Sequence, residues 1–197
     1  MSDDATAASF REAVRRLHRE KDAAYRNAWK RRGETISILA NIARKVDRLE
    51  CAVDGAPPTQ DESLLDTAVD LLVYAIKYKT FLADQDEMVA SSLFAATEAL
   101  PPYSDGTEGF DLLFAQADLG WLEEPRNEGL AEATRNVLLV FAEIEMAASE
   151  PLASVAERLR LAQALVAATI CLLGVLRQEV PDRYHDFLAQ QLKRGEF

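Results

Sequence analysis

Apolar residues recur at three-to-four spacing through most of the 197-residue chain, and glycine and proline gather in the intervals between these stretches. The pattern predicts helices throughout. Phe10, Val14, Leu17 and Tyr25 form a sparse stripe on a first helix from about Ser9 to Arg31, opposite a heavily charged face. Gly33 breaks it. Ile38, Ile42, Val46 and Leu49 then line a second helix from Glu34 to Ala52. After the breaker Asp54-Gly55-Ala56-Pro57-Pro58, Thr59 and Glu62 read as a capping box that opens a third helix reaching Ala83.

A fourth helix is expected from Asp86 to Leu100, stopped by Pro101-Pro102, with 101–109 as the longest loop. Phe110 to Trp121 reads as a short helix with a turn, and Arg126 to Ser149 as another helix. Pro151 suits the first turn of a long helix to Glu179, and Pro181 opens a last one to Arg194. No stretch alternates as a strand does, and no solenoid repeat or low-complexity tract is present. The expected architecture is an all-α bundle of about seven to eight helices. Residues 1–100 would form its core, and 110–197 a C-terminal helical region packing on that core or on a partner, the whole forming one or two domains.

Charge changes the picture along the chain. The formal net charge is −11, yet residues 1–50 carry a net +4 and the remainder −15. An acidic whole argues against general nucleic-acid binding, which needs a basic footprint. The basic first quarter serves either phosphate at one site or simple attraction to the acidic remainder. Cys51 and Cys171 stand far apart, without zinc or disulfide spacing, and His18 and His185 are expected on the surface of charged helices. The first residues are unlike a signal peptide, and the apolar run Ala164 to Leu176 is too short to span a bilayer. A cytoplasmic location, away from membranes, is expected.

The candidate chemistry gathers on the first three helices. Asp70 lies inside the apolar run of the third helix, and a carboxylate enters such a place only with compensation. Asp66, Asp70, Tyr74 and Lys77 share one face of that helix, as Asn41, Lys45 and Arg48 do on the second. Two carboxylates one turn apart can share a magnesium ion that bridges phosphates and activates water. Lys45 and Arg48, with Lys21, would then hold the phosphates, and Tyr25 and Trp29 could stack on a base. Asp66 and Asp70 could equally pair with Lys45 and Arg48 as a buried ion network with no ligand. Glu143 and Glu145 are further carboxylates near an apolar run, of which at most one faces inward.

The succession Lys21, Tyr25, Ala28, Trp29, then Ile38, Ile42, Lys45, Arg48, Leu49, then Asp66, Asp70, Leu71, Tyr74, Ala75 resembles the nucleotide-modification-associated domain family of phages and bacteria. That family looks like a distant relative of the MazG-type all-α nucleotide pyrophosphohydrolases. The likeness covers about residues 20–82. It implies a MazG-like helical core, usually a homodimer, that binds a nucleotide through magnesium (Mg2+) and hydrolyses a nucleoside triphosphate to monophosphate and pyrophosphate. Asp66 and Asp70 would be the metal and catalytic residues, and Lys21, Tyr25, Trp29, Lys45, Arg48 and Tyr74 would bind the substrate. This sequence departs from the hydrolases where they carry glutamates on the second helix, since Arg44, Lys45 and Arg48 stand there. The alternative is a non-catalytic helical sensor of nucleotides or an assembly module, with the C-terminal helices meeting a protein partner.

Overall fold

Helix follows helix between the breakers of the sequence in a computed structural model that describes residues 3–54, 63–150 and 153–193. The helices are α1 (Asp3–Tyr25), α2 (Ala40–Val53), α3 (Leu64–Ala83), α4 (Glu87–Phe94), α5 (Glu108–Gln116), the single turn α6 (Gly120–Glu123), α7 (Leu130–Ser149), α8 (Val155–Glu179) and α9 (Pro181–Lys193). No strand occurs among the described residues, and the protein is an all-α bundle.

α3 and α8 form the middle of the bundle. α8 packs on α3 and α7, α2 packs on α3 and α7, and α1 lies against α9 and α3. One apolar core therefore runs through both halves of the chain, from Phe10 and Ile42 to Leu172 and Tyr184. The predicted stripe Ile38, Ile42, Val46 and Leu49 is wholly inside it. α8 as a whole is longer than the apolar run picked out in the sequence. By length and composition alone it could cross a membrane, but 67 % of its apolar window is buried within the protein. Its hydropathy is accounted for by core packing.

Three departures from the predicted elements matter for the site. α1 ends at Tyr25 and not at Arg31, because Arg26 adopts a left-handed φ of 47° and the chain tightens into a 3-10 turn over Arg26–Trp29. Gly33, with a φ of 82°, then redirects the chain into a π-helical stretch, Glu34–Leu39, that leads into α2. α3 opens at Leu64 with a capping box of its own. Ser63 Oγ accepts from the Asp66 N–H, and Asp66 Oδ2 accepts in return from the Ser63 N–H and hydroxyl. The box expected at Thr59 and Glu62 lies outside the described residues.

α4 stops at Phe94 rather than Leu100. Asp84, at the end of α3, accepts from the backbone N–H groups of Tyr103 at 2.6 Å and Ser104 at 3.1 Å. The Tyr103 ring stacks on Phe94, 4.3 Å between centroids. The loop is thereby drawn back onto the end of α3, and the chain has to turn after Phe94 to reach it.

Candidate functional site

The spacing of α3 puts Asp70, Tyr74 and Lys77 on one face, each a turn from the next. The end of α1 borders this face on one side and α2 on the other, so a polar seam crosses three helices. At its middle is Asp70, whose side chain is 13 % exposed. Lys21 of α1 donates to Asp70 Oδ1, and Lys45 Nζ of α2 stands 3.1 Å from Oδ2. Each carboxylate oxygen thus has its own ammonium group. Sequence reasoning demanded a partner for a carboxylate in an apolar run, and two lysines supply it.

Tyr74 is half-buried beside Asp70. Its hydroxyl is pushed above the ordinary range, first by burial and then by the Asp70 charge, with Arg44 opposing. Arg44 is exposed on α2 and donates to Asn41 Oδ1. Lys77 marks the deep end. It is only 8 % exposed, with Nζ 4.6 Å over the Trp29 ring and 3.9 Å from Asp22 Oδ1. Burial draws its pKa down to about 8; the Asp22 charge opposes this, while Lys30 and Lys21 add to it. Lys30 Nζ lies 6.0 Å from the centroid of the Trp29 ring and donates to Ser104 and Asp105.

His18 completes the deep end and corrects an expectation. It is 1 % exposed, not on the surface, and its ring stacks on Phe110 with centroids 3.9 Å apart. α1 turns this face toward α5 and α3, so the charged neighbours Arg19 and Glu20 point outward while His18 points in. Burial foremost, then the Lys77 and Arg19 charges, lowers its pKa to about 3. His185 is exposed, as are Glu143 and Glu145.

The residues picked from the sequence therefore divide. Lys21, Lys45, Asp70 and Tyr74 come together, and Trp29 joins them through Lys77. Tyr25 and Trp29 do not make a stacking pair: the break at Arg26 leaves Tyr25 69 % exposed and turns Trp29 inward to 6 %. Arg48 is exposed on α2, one turn beyond Arg44. Asp66 is exposed on the first turn of α3, its Oδ2 engaged with Ser63. Asp22, Lys30 and His18 belong to the seam without having been assigned to it, and Lys77, placed on the Asp70 face by its spacing, had been given no role. The signal for two of them was the spacing of His18 and Asp22, one turn apart on the face that carries Val14.

Magnesium does not fit the carboxylates assigned to it. Asp66 is used as a helix cap, and both oxygens of Asp70 face cations. No group of three or more His, Cys, Asp or Glu side chains among the described residues is placed to hold a metal ion. A cleft of about 640 Å³ beside α4 is also unsuited to phosphate. It is lined by Asp84, Asp86 and Glu87, and the first two of these hold the loop at Tyr103 and cap α4. The seam is where cations exceed carboxylates: Lys21, Lys30, Arg44, Lys45 and Lys77 stand around Asp22, Asp70 and Asp105. Such a balance attracts anions. No family model matches the chain, and no curated protein and no solved structure matches it.

Proposed function

We propose that the chain binds a nucleotide through its phosphates at the seam between α1, α2 and α3, and that it acts as a sensor or carrier of that nucleotide. The observation that carries this is the convergence of Lys21 from α1 and Lys45 from α2 on the α3 face that also holds Lys77. Lys21 is 43 % exposed, so its ammonium can leave Asp70 for a phosphate oxygen without a large desolvation cost. Tyr74 is half-buried beside Asp70, and the exposed Tyr25 lies one turn beyond Lys21 on α1.

The proposed ligand keeps the nucleotide of the MazG-type resemblance but assigns no resident metal. Magnesium would enter as the counterion of the phosphates. Pyrophosphohydrolase activity, which the resemblance also implies, would add turnover to this binding and is read by the same assay. A second reading, a packing or assembly module without ligand, is favoured by the pairing of both Asp70 oxygens.

The test is a panel of canonical and modified nucleoside and deoxynucleoside triphosphates with magnesium, followed by thermal unfolding and by assay for monophosphate and pyrophosphate. Thermal stabilisation that disappears in Lys21→Ala and Lys45→Ala is expected. Product that needs Asp70 would add catalysis. Stabilisation by none of the nucleotides would leave the module and remove the nucleotide.

A further inference from the structure

α7 carries two apolar stripes where a surface helix needs one. Val137, Phe141 and Ile144 are buried in the core. Leu139, Ala142 and Met146 repeat at three-to-four spacing on the outward side, with Leu139 60 % and Met146 63 % exposed. Ile36, 66 % exposed, follows Thr35, which lines a hollow together with Ala148 and Ser149 at the end of α7. Apolar side chains grouped on one exposed face mark an interaction surface.

Two open hollows lie along the line where α7 meets α2. The first, about 370 Å³, has Val53, Leu138, Leu139 and Ala142 among its walls. The second, about 320 Å³, lies between Leu39 and Ala43 on one side and Ala148 on the other. About three turns of α7 separate their centres, or roughly 16 Å. Their near edges, Ala142 and Glu145, are one turn apart on α7, so the hollows are successive parts of one groove.

Charge decides what fits there. The walls carry Glu50, Asp54 and Glu145 against one cation among the described residues, Arg135. Asp47 stands between Ala43 and Glu50 on the same flank of α2 and is exposed. Arg44 and Lys45 lie on the other flank, toward Tyr74 and Asp70. A second copy offering this same face would set carboxylates against carboxylates, which disfavours a symmetric pair. The segment 55–62 carries Asp61 and Glu62 and no cation, so it is no complement either.

We propose that the α2–α7 groove docks a cationic amphipathic helix of another protein. Apolar side chains at i and i+11 of that helix enter the two hollows, and those at i+3 and i+7 pack over Ala142 between Leu139 and Met146. Lysines or arginines beside them meet Glu50, Asp54 and Glu145. The groove is on the flank of α2 away from Lys45, so it stands or falls apart from the nucleotide reading.

The probe is a fluorescein-labelled helical peptide of about five turns, made of lysine and alanine with leucines at i, i+3, i+7 and i+11. In about 0.15 M salt, the full chain is expected to raise its fluorescence anisotropy saturably. An isomer with the leucines scattered round the helix, and a version with glutamate for lysine, should each bind about tenfold more weakly or worse. Leu139→Ser combined with Met146→Ser should weaken the first peptide about tenfold, while Met88→Ser, on the exposed methionine of α4, should leave it unchanged. All three side chains are exposed, so the variants keep the fold. Binding that ignores Leu139 and Met146, the leucine order or the lysine charge would overturn the proposal, as would no binding. Self-association in sedimentation that Leu139→Ser and Met146→Ser abolish would give the groove to a second copy and overturn it too.

Discussion

Lys45 Nζ of α2 stands 3.1 Å from one oxygen of Asp70 on α3, while Lys21 of α1 takes the other oxygen. One carboxylate thus ties three helices. Asp70→Asn leaves two ammonium groups facing an amide, and the more buried of them, Lys45, has little access to water. A loss of about 1–3 kcal/mol is expected, below the cost of breaking a fully buried pair because Lys21 is well solvated. Urea unfolding of the two proteins measures it. Asp70→Leu combined with Lys45→Met should recover part of the loss, and no loss in the single variant would mean the tie does not hold the fold.

His18 gives the acid side of the stability profile. Its native pKa of about 3 lies below the ordinary 6.5, so between those values the unfolded chain binds a proton that the native chain refuses. The contribution is fully present above pH 6.5 and is lost as pH falls toward 3. The expected slope approaches about 1.4 kcal/mol per pH unit within the window. His18→Phe should flatten the profile between pH 6 and about 4, whatever its effect at neutrality.

Lys77 shapes the alkaline side, and with the same sign for rising pH. Its native pKa of about 8 lies below 10.5, so between these values the unfolded chain holds the extra proton and stability grows as pH rises. The stability difference between the parent protein and Lys77→Met isolates the effect from other titrating groups. That difference should move in favour of the parent by about a kcal/mol per pH unit between pH 8 and 10. A flat difference would mean that the amine titrates as an ordinary surface lysine.

Glu34, where the π-helical stretch begins, is held from two sides. Tyr78 of α3 donates to its Oε1 and Arg158 of α8 to its Oε2. Tyr78→Phe removes a neutral donor and should cost about 1–2 kcal/mol. Arg158→Met strands a carboxylate that is 17 % exposed and should cost more, about 3 kcal/mol. Chemical denaturation gives the order. The Tyr78 phenol, pushed up by burial and by its bond to Glu34, should stay protonated in an ultraviolet titration until the protein unfolds.

Much of the fold was legible because period and breakers agree. Ile38, Ile42, Val46 and Leu49 show one buried face, and the apolar run of α8 reads as a packing face and is largely buried. The demand of Asp70 for cations was legible from its apolar neighbours as well. The left-handed turn at Arg26 was not, since an arginine carries no preference for a positive φ. That one angle separates Tyr25 from Trp29. Two overlapping cap patterns, at Thr59 and Ser63, are equally good locally, and nothing in the composition ranks them. His18 was hidden by charged sequence neighbours that point the other way on the same helix.

The shared Asp70 makes occupancy and mechanics a single equilibrium. Any anion that draws Lys21 away removes a pin between the last turns of α1 and the second turn of α3, while Arg16 of α1 still holds the far end of α9 through the Leu192 carbonyl. Ligand binding would therefore loosen one end of α1 selectively, and faster amide exchange near Tyr25 with unchanged exchange near Arg16 would be its signature. A partner protein that grips the α1–α2 junction could read the nucleotide without touching it.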